Sequence, residues 1–197
     1  MGDITTDALD TAAMERLRSG QQSALNELMT RHAGRVHRYL IRLLQDEDEA
    51  ADLAQETFVR VYLHRHRFQP GRKFSTWLFA IATNLARDRL RRLNRRPQVP
   101  LDAHGPEDTG LANVLPDDSP GPEEKLEQAE RAAAVRHAVA ALPEELRVPL
   151  ILFEYEQQSH AEIAAALGCS AKAVEMRLYR ARQQLRTALS RLIGQPR

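Results

Sequence analysis

Lys172, Glu175, Met176, Tyr179 and Arg180 recur at the three-to-four spacing of one helical face, with Arg177 and Arg182 flanking them, in the stretch SAKAVEMRLYRAR. An arginine fork pairs with O6 and N7 of guanine in the major groove, and a glutamate accepts from a cytosine amine. Arginines towards the edge of such a face suit phosphates, which position a protein without specifying sequence. A second basic cluster, LARDRLRRLNRR at Leu85–Arg96, carries six arginines against Asp88. The chemistry on offer is recognition of a polyanion. No catalytic constellation accompanies it: there is no GxxxxGK[ST] phosphate loop, no HExxH motif and no convincing nucleophile with its base.

The first face needs a helix held in place by another. Ser159 and Glu162 form the S-x-x-E pattern of a capping box and open a short helix. Ile163 and Leu167 face inward there, and Ala164 is small enough for a close crossing. Gly168 stands where a left-handed C-cap is needed. Ser170 then caps a longer helix with the inward stripe Val174, Leu178, Ala181 and Leu185. Small residue, tight turn, buried β-branched residue and a second helix free on one side make a helix-turn-helix. An exposed charged helix in an ordinary bundle is the alternative, and it leaves the register of these features unexplained. Upstream, a helix is expected from Lys125 through Ala141. Another follows LPEE, with Pro149 expected to kink or loosen it.

The N-terminal region also reads as helices. Ala24, Leu25, Leu28, Met29, His32, Val36, Tyr39, Leu40 and Leu43 form one apolar stripe. The acidic run DEDE suits the positive end of the next helix, whose inward residues are Ala50, Leu53, Ala54, Phe58, Val61 and Tyr62. Gln69, Pro70 and Gly71 break the pattern. Ser75 or Thr76 is expected to cap a third helix, with Trp77, Leu78, Ile81 and Leu85 inward. Six of the ten prolines lie between Pro97 and Pro122, and Pro97–Glu127 holds eight acidic residues against Lys125 alone. Such a composition sustains neither helix nor core. The expected organisation is all-α: a helical domain over 1–96, a flexible Pro-rich acidic linker over 97–124 and a helix-turn-helix domain over 125–197.

The net charge of +1 is therefore a sum of opposed blocks, and their segregation says more about partners than the total does. A lone Cys169 excludes an internal disulfide and a cysteine-rich zinc site, and next to the glycine turn it is expected to pack. His64 and His66, two apart, do not share a helix face. No cofactor and no metal are expected. No apolar run approaches the ~20 residues of a membrane span, and the first residues lack a secretory pattern, so a cytoplasmic location is expected.

DEAADLAQETFVRVY followed by FQPGRKFSTWLFAIATNLARDRLRR closely resembles region 2 of the sigma factors of bacterial RNA polymerase. LPEELRVPLILFEYEQQSHAEIAAALGCSAKAVEMRLYRARQQLR resembles region 4, and the pair looks like the small extracytoplasmic-function (ECF) group of the sigma-70 superfamily. The resemblance implies a specificity subunit, without catalysis of its own, that directs core polymerase to promoters. It implies docking of Asp52, Gln55, Glu56 and Arg60 on the clamp of the polymerase large subunit. From periodicity alone the same residues also suit a solvated acidic face. It places the turn Phe68–Phe74, with Arg72 and Lys73, at a flipped base of the −10 element. It puts Asn84, Arg87 and Arg91 on the strand there. It gives Ser170, Lys172, Glu175, Met176, Arg177, Tyr179 and Arg180 to the −35 element. An anti-sigma factor is the implied inhibitor. A stand-alone helix-turn-helix regulator, dimerising or sensing through its N-terminal helices, is the competing reading; a nuclease or recombinase is a distant third.

Overall fold

The computed structural model describes residues 3–95 and 122–190, which are helical with no strand. Helices α1 (Asp3–Arg18), α2 (Ser23–Leu44), α3 (Glu47–Leu63) and α4 (Phe74–Arg95) form the N-terminal domain; a single 3-10 turn, Arg65–Arg67, follows α3. Helices α5 (Pro122–Ala140), α6 (Glu144–Glu154), α7 (His160–Leu167) and α8 (Ala171–Ala188) form the C-terminal one. Most of the expected linker, residues 97–121, lies outside the described residues. The following helix begins at Pro122 rather than Lys125, because a proline is well suited to the first helical turn, where its missing N–H costs nothing.

The stripe expected on α2 is its core face: Ala24, Leu28, His32, Val36, Tyr39, Leu40 and Leu43 are all buried. Gln45 then takes the left-handed conformation at φ 58° and returns its N–H to the Ile41 carbonyl. Asp46 follows at once as the N-cap of α3, accepting from the Glu49 N–H at 3.0 Å, so the acidic run sits at the helix's positive end. The α3 core residues Ala50, Ala54, Phe58 and Val61 match the expected face.

Helix α4 differs from expectation in two respects. It begins at Phe74, so Ser75 and Thr76 lie inside its first turn and neither caps it. Its buried stripe is Phe74, Leu78, Phe79, Ala82, Thr83 and Ala86, while Trp77, Ile81 and Leu85 are half-buried. The cause is that α4 packs against α2 and α3 on one side and α7 on another, so apolar spacing alone does not single out the deepest stripe. Phe79 meets Tyr39 edge-on at 5.2 Å. Thr83 spends its own proton on the Phe79 carbonyl, so the Tyr39 hydroxyl donates to Thr83 Oγ1 at 2.7 Å.

Helix α1 was not anticipated. Its apolar contribution is short (Ala13, Met14 and Leu17), and its most deeply placed polar residue, Asp10, is wholly buried. Asp10 accepts from Arg31 Nε at 2.7 Å and from His32 Nε2 at 2.6 Å, which ties α1 to α2. Arg16 and Glu27 make a two-pronged pair nearer the turn, at 2.7 and 2.8 Å. The expected helix through Pro149 runs from Glu144 to Glu154 with the proline buried inside it.

Candidate nucleic-acid interface

The local signals around Gly168 are realised in full. Ser159 Oγ accepts from the Glu162 N–H, while Glu162 Oε2 accepts from the Ser159 N–H at 2.7 Å. Gly168 ends α7 at φ 65°, and Ser170 Oγ accepts from the Ala173 N–H at 3.1 Å to start α8. Val174, Leu178 and Ala181 are buried against the rest of the domain. Lys172, Glu175, Met176, Tyr179 and Arg180 are all exposed on one face, Tyr179 at 59% and Met176 at 44%. Tyr179 and Met176 stand together among the cations of this face, an exposed apolar patch rimmed by polar groups of the kind that marks an interaction site. Arg177 turns off that face towards the turn, with Nη1 at 3.7 Å from the half-buried Cys169 Sγ. Arg182 remains exposed, its side chain 53% accessible, while it pairs with Glu154 at 2.9 Å and lies over the Phe153 ring. Replacing Ser159 by alanine is expected to cost about 1 kcal/mol, read as a lowered urea midpoint with unchanged slope.

A second cationic surface lies on α4 and the loop before it. Arg72 and Lys73 are exposed, as are Asn84 and Arg91, which with Arg87 fall at positions i, i+3 and i+7 of α4. Arg87 is drawn down: its side chain is 20% exposed and its Nε donates to Glu144 Oε1 at 2.8 Å. Beside the loop Arg67, Phe68, Gln69, Arg72 and Trp77 line a small cavity of about 170 Å³. Trp77, expected in the core, forms its half-buried wall and packs on Phe68 at 5.6 Å. The cluster is therefore both structural and accessible.

The third surface is the outer face of α3. Asp52, Gln55 and Arg60 are exposed and Glu56 is partly so, with Glu56 and Arg60 paired at 2.7 Å. Among them stand Val59 and Leu63, 49% and 59% exposed. Residues 28–96 match the family Sigma-70 region 2, and residues 132–185 match Sigma-70, region 4. The chain is 31% identical over 178 residues to the ECF RNA polymerase sigma factor SigW of Bacillus subtilis, across 89% of this chain and 94% of that protein. The chain belongs to the ECF sigma factors of bacterial RNA polymerase.

This sigma factor is also 38% identical over 176 residues to the ECF RNA polymerase sigma factor SigE of Mycolicibacterium smegmatis. That match takes in 88% of the chain but only 65% of SigE's length. Its fold is similar to that of CnrH, solved in complex with the cytosolic domain of CnrY, with a TM-score of 0.66 and 28% identity over 92% of this chain and 97% of that one. The region 2 match takes in α3, the loop and α4, and the region 4 match takes in α6, α7 and most of α8. All three surfaces of this sigma factor therefore lie in matched regions, whereas α1 precedes them. Sequence reasoning missed Val59 and Leu63. The available signal was two large aliphatic residues off the inward stripe of an otherwise polar face. Among the described residues, no group of His, Cys, Asp and Glu side chains could hold a metal ion, and no helix is long and apolar enough to cross a membrane.

Proposed function

We propose that this sigma factor reads a two-part promoter through the surfaces just described. Lys172, Glu175, Met176, Tyr179 and Arg180 meet the −35 element in the major groove, with Ser170 and Arg177 at the edge of that contact. Arg72, Lys73, Asn84, Arg87 and Arg91 hold the −10 strand, and the Phe68–Phe74 turn with its small cavity receives an unstacked base. Asp52, Gln55, Glu56 and Arg60 dock on the polymerase clamp, with Val59 and Leu63 supplying the apolar centre of that contact. The domain division expected at 1–96, 97–124 and 125–197 is kept with its last boundary moved to the start of α5 at Pro122, the chain carries no catalysis of its own, and it acts in the cytoplasm. An anti-sigma factor holds it inactive; the similar CnrH was solved with a polypeptide partner, which supports this.

The observation that carries the reading is the exposed Tyr179–Met176–Arg180 face of α8 on a fully capped helix-turn-helix. The test is assembly with purified core RNA polymerase, followed by transcription from a genomic fragment library. Initiation at a shared two-part motif is expected. Arg180→Ala should then weaken binding at the −35 part by about 1–3 kcal/mol, concentrated at one base pair. No core binding, with tight binding of the chain alone to palindromic duplex, would make the protein a conventional regulator.

A further inference from the structure

Helix α8 carries one acid among five cations: Glu175 against Lys172, Arg177, Arg180, Arg182 and Arg186. A carboxylate is repelled by phosphates, so on a face that meets DNA something must compensate it. Two ordinary compensations are absent. The helix dipole favours an acid in the first turn, but Glu175 is the fifth residue of α8, whose first turn holds no acid. Ion pairing favours an acid beside a cation, as it does for Glu144, Glu154, Glu156 and Glu162, each held by an arginine or a lysine. Glu175 is exposed. Among the described residues neither Lys172, three residues earlier, nor any other group pairs with its carboxylate or hydrogen-bonds to it.

The backbone beneath this free carboxylate is fixed. Val174, the residue before it, is fully buried, and Leu178, three residues on, is 1% exposed. The packing of α8 therefore sets where the side chain starts, which is what a reading group needs. The N-terminal part of a recognition helix is the part that reaches base edges, and Glu175 lies there, one turn before Tyr179 on the same side.

An ionised carboxylate only accepts hydrogen bonds. The major groove offers it two donors, the N4 amine of cytosine and the N6 amine of adenine. Guanine presents the acceptors N7 and O6, and thymine presents O4 and a methyl group. Adenine sets its acceptor N7 beside its amine, so one carboxylate oxygen is repelled where the other is bound. Cytosine has no acceptor beside its amine on that edge. The base that suits Glu175 is cytosine.

We propose that Glu175 reads cytosine at one position of the −35 element and rejects the other three bases there. The inference rests on the assignment of α8 to that element. Glu175 discriminates by repulsion as well as by attraction, since its charge faces an acceptor edge in every promoter that has guanine or thymine at that position.

Transcription by reconstituted holoenzyme from a library with a randomised −35 part tests it, with the native chain, Glu175→Ala and Glu175→Gln compared. The native holoenzyme is expected to favour cytosine at one position by about 5- to 100-fold over guanine or thymine. Glu175→Ala should flatten the preference at that position and at no other. Glu175→Gln should move it to adenine, because a glutamine amide pairs with N6 and N7 together. Alanine and glutamine are both good helix formers, so the urea midpoints of the variants should match that of the native chain. A lowered midpoint with an unchanged base profile would make Glu175 a stabiliser of α8 and overturn the inference. A native profile that favours no cytosine overturns it too, and leaves the two-part promoter reading in place. Initiation at no shared two-part motif by the native holoenzyme removes that reading, and the role of Glu175 with it.

Discussion

Asp10→Ala is expected to destabilise the N-terminal domain by about 3–5 kcal/mol, the cost of removing one partner from a buried charged cluster. Asp10 is wholly buried, and its two oxygens serve Arg31 and His32 separately. An ionised carboxylate only accepts, so His32 Nε2 carries a proton towards Asp10; Nδ1 is buried without a partner. Loss of Asp10 would leave an arginine and an imidazole facing a void, and would free α1 from α2. Burial pushes the Asp10 carboxyl up, but the hydrogen bonds and charges of His32 and Arg31 outweigh it and hold it below the ordinary carboxylate range. The sign follows from linkage: stability from this group is fully present above the unfolded value near ~3.9 and is lost as pH falls through the lower native value. Urea midpoints measured from pH 7 down to pH 3 should therefore fall for the native chain, and part of that fall should vanish in Asp10→Asn. Equal midpoints for native chain and Asp10→Ala at pH 7 would show that the cluster contributes nothing to stability.

Phe74→Ala is expected to cost about 3–5 kcal/mol as well, by a different route, since it opens a cavity in a packed aromatic group. The ring is fully buried, with centroids of His32, Phe68 and Trp77 at 5.2, 6.1 and 6.2 Å. Phe74 is also the first residue of α4, directly after Lys73. The substitution should thus loosen the loop that carries Arg72 and Lys73 as well as lower the melting temperature. Faster tryptic cleavage at those two residues would report the loosening. Phe74→Leu, which keeps most of the volume, should lose less than about 1.5 kcal/mol and protect the loop. An alanine variant that melts with the native chain and is cleaved no faster would remove Phe74 as the anchor of the loop.

Both substitutions act where sequence reading was weakest. The α2 stripe and the helix-turn-helix were legible because their signals are local. A 3.6-residue period, a serine three residues before a glutamate and a glycine at a left-handed cap each act within a turn or two of chain. Helix α1 was not legible, because its three buried apolar residues leave a weak period and its main tether is a carboxylate matched to residues on another helix. The deepest stripe of α4 was displaced for a related reason. Two sides of that helix are covered, and apolar spacing does not rank them.

The sequence by itself determined that both domains are all-α, where cap and turn residues begin and end α7 and begin α8, and which side chains of α8 face outward. These depend on backbone sterics and short-range hydrogen bonds that any neighbours would leave in place. Tertiary structure alone decided that Arg87 lies against Glu144, that Lys73 meets the spare oxygen of a capping carboxylate, and that Arg182 pairs with Glu154. An arginine's charge is written in the sequence. Its partner depends on which helix folds back over it, and that is set by packing between residues tens of positions apart.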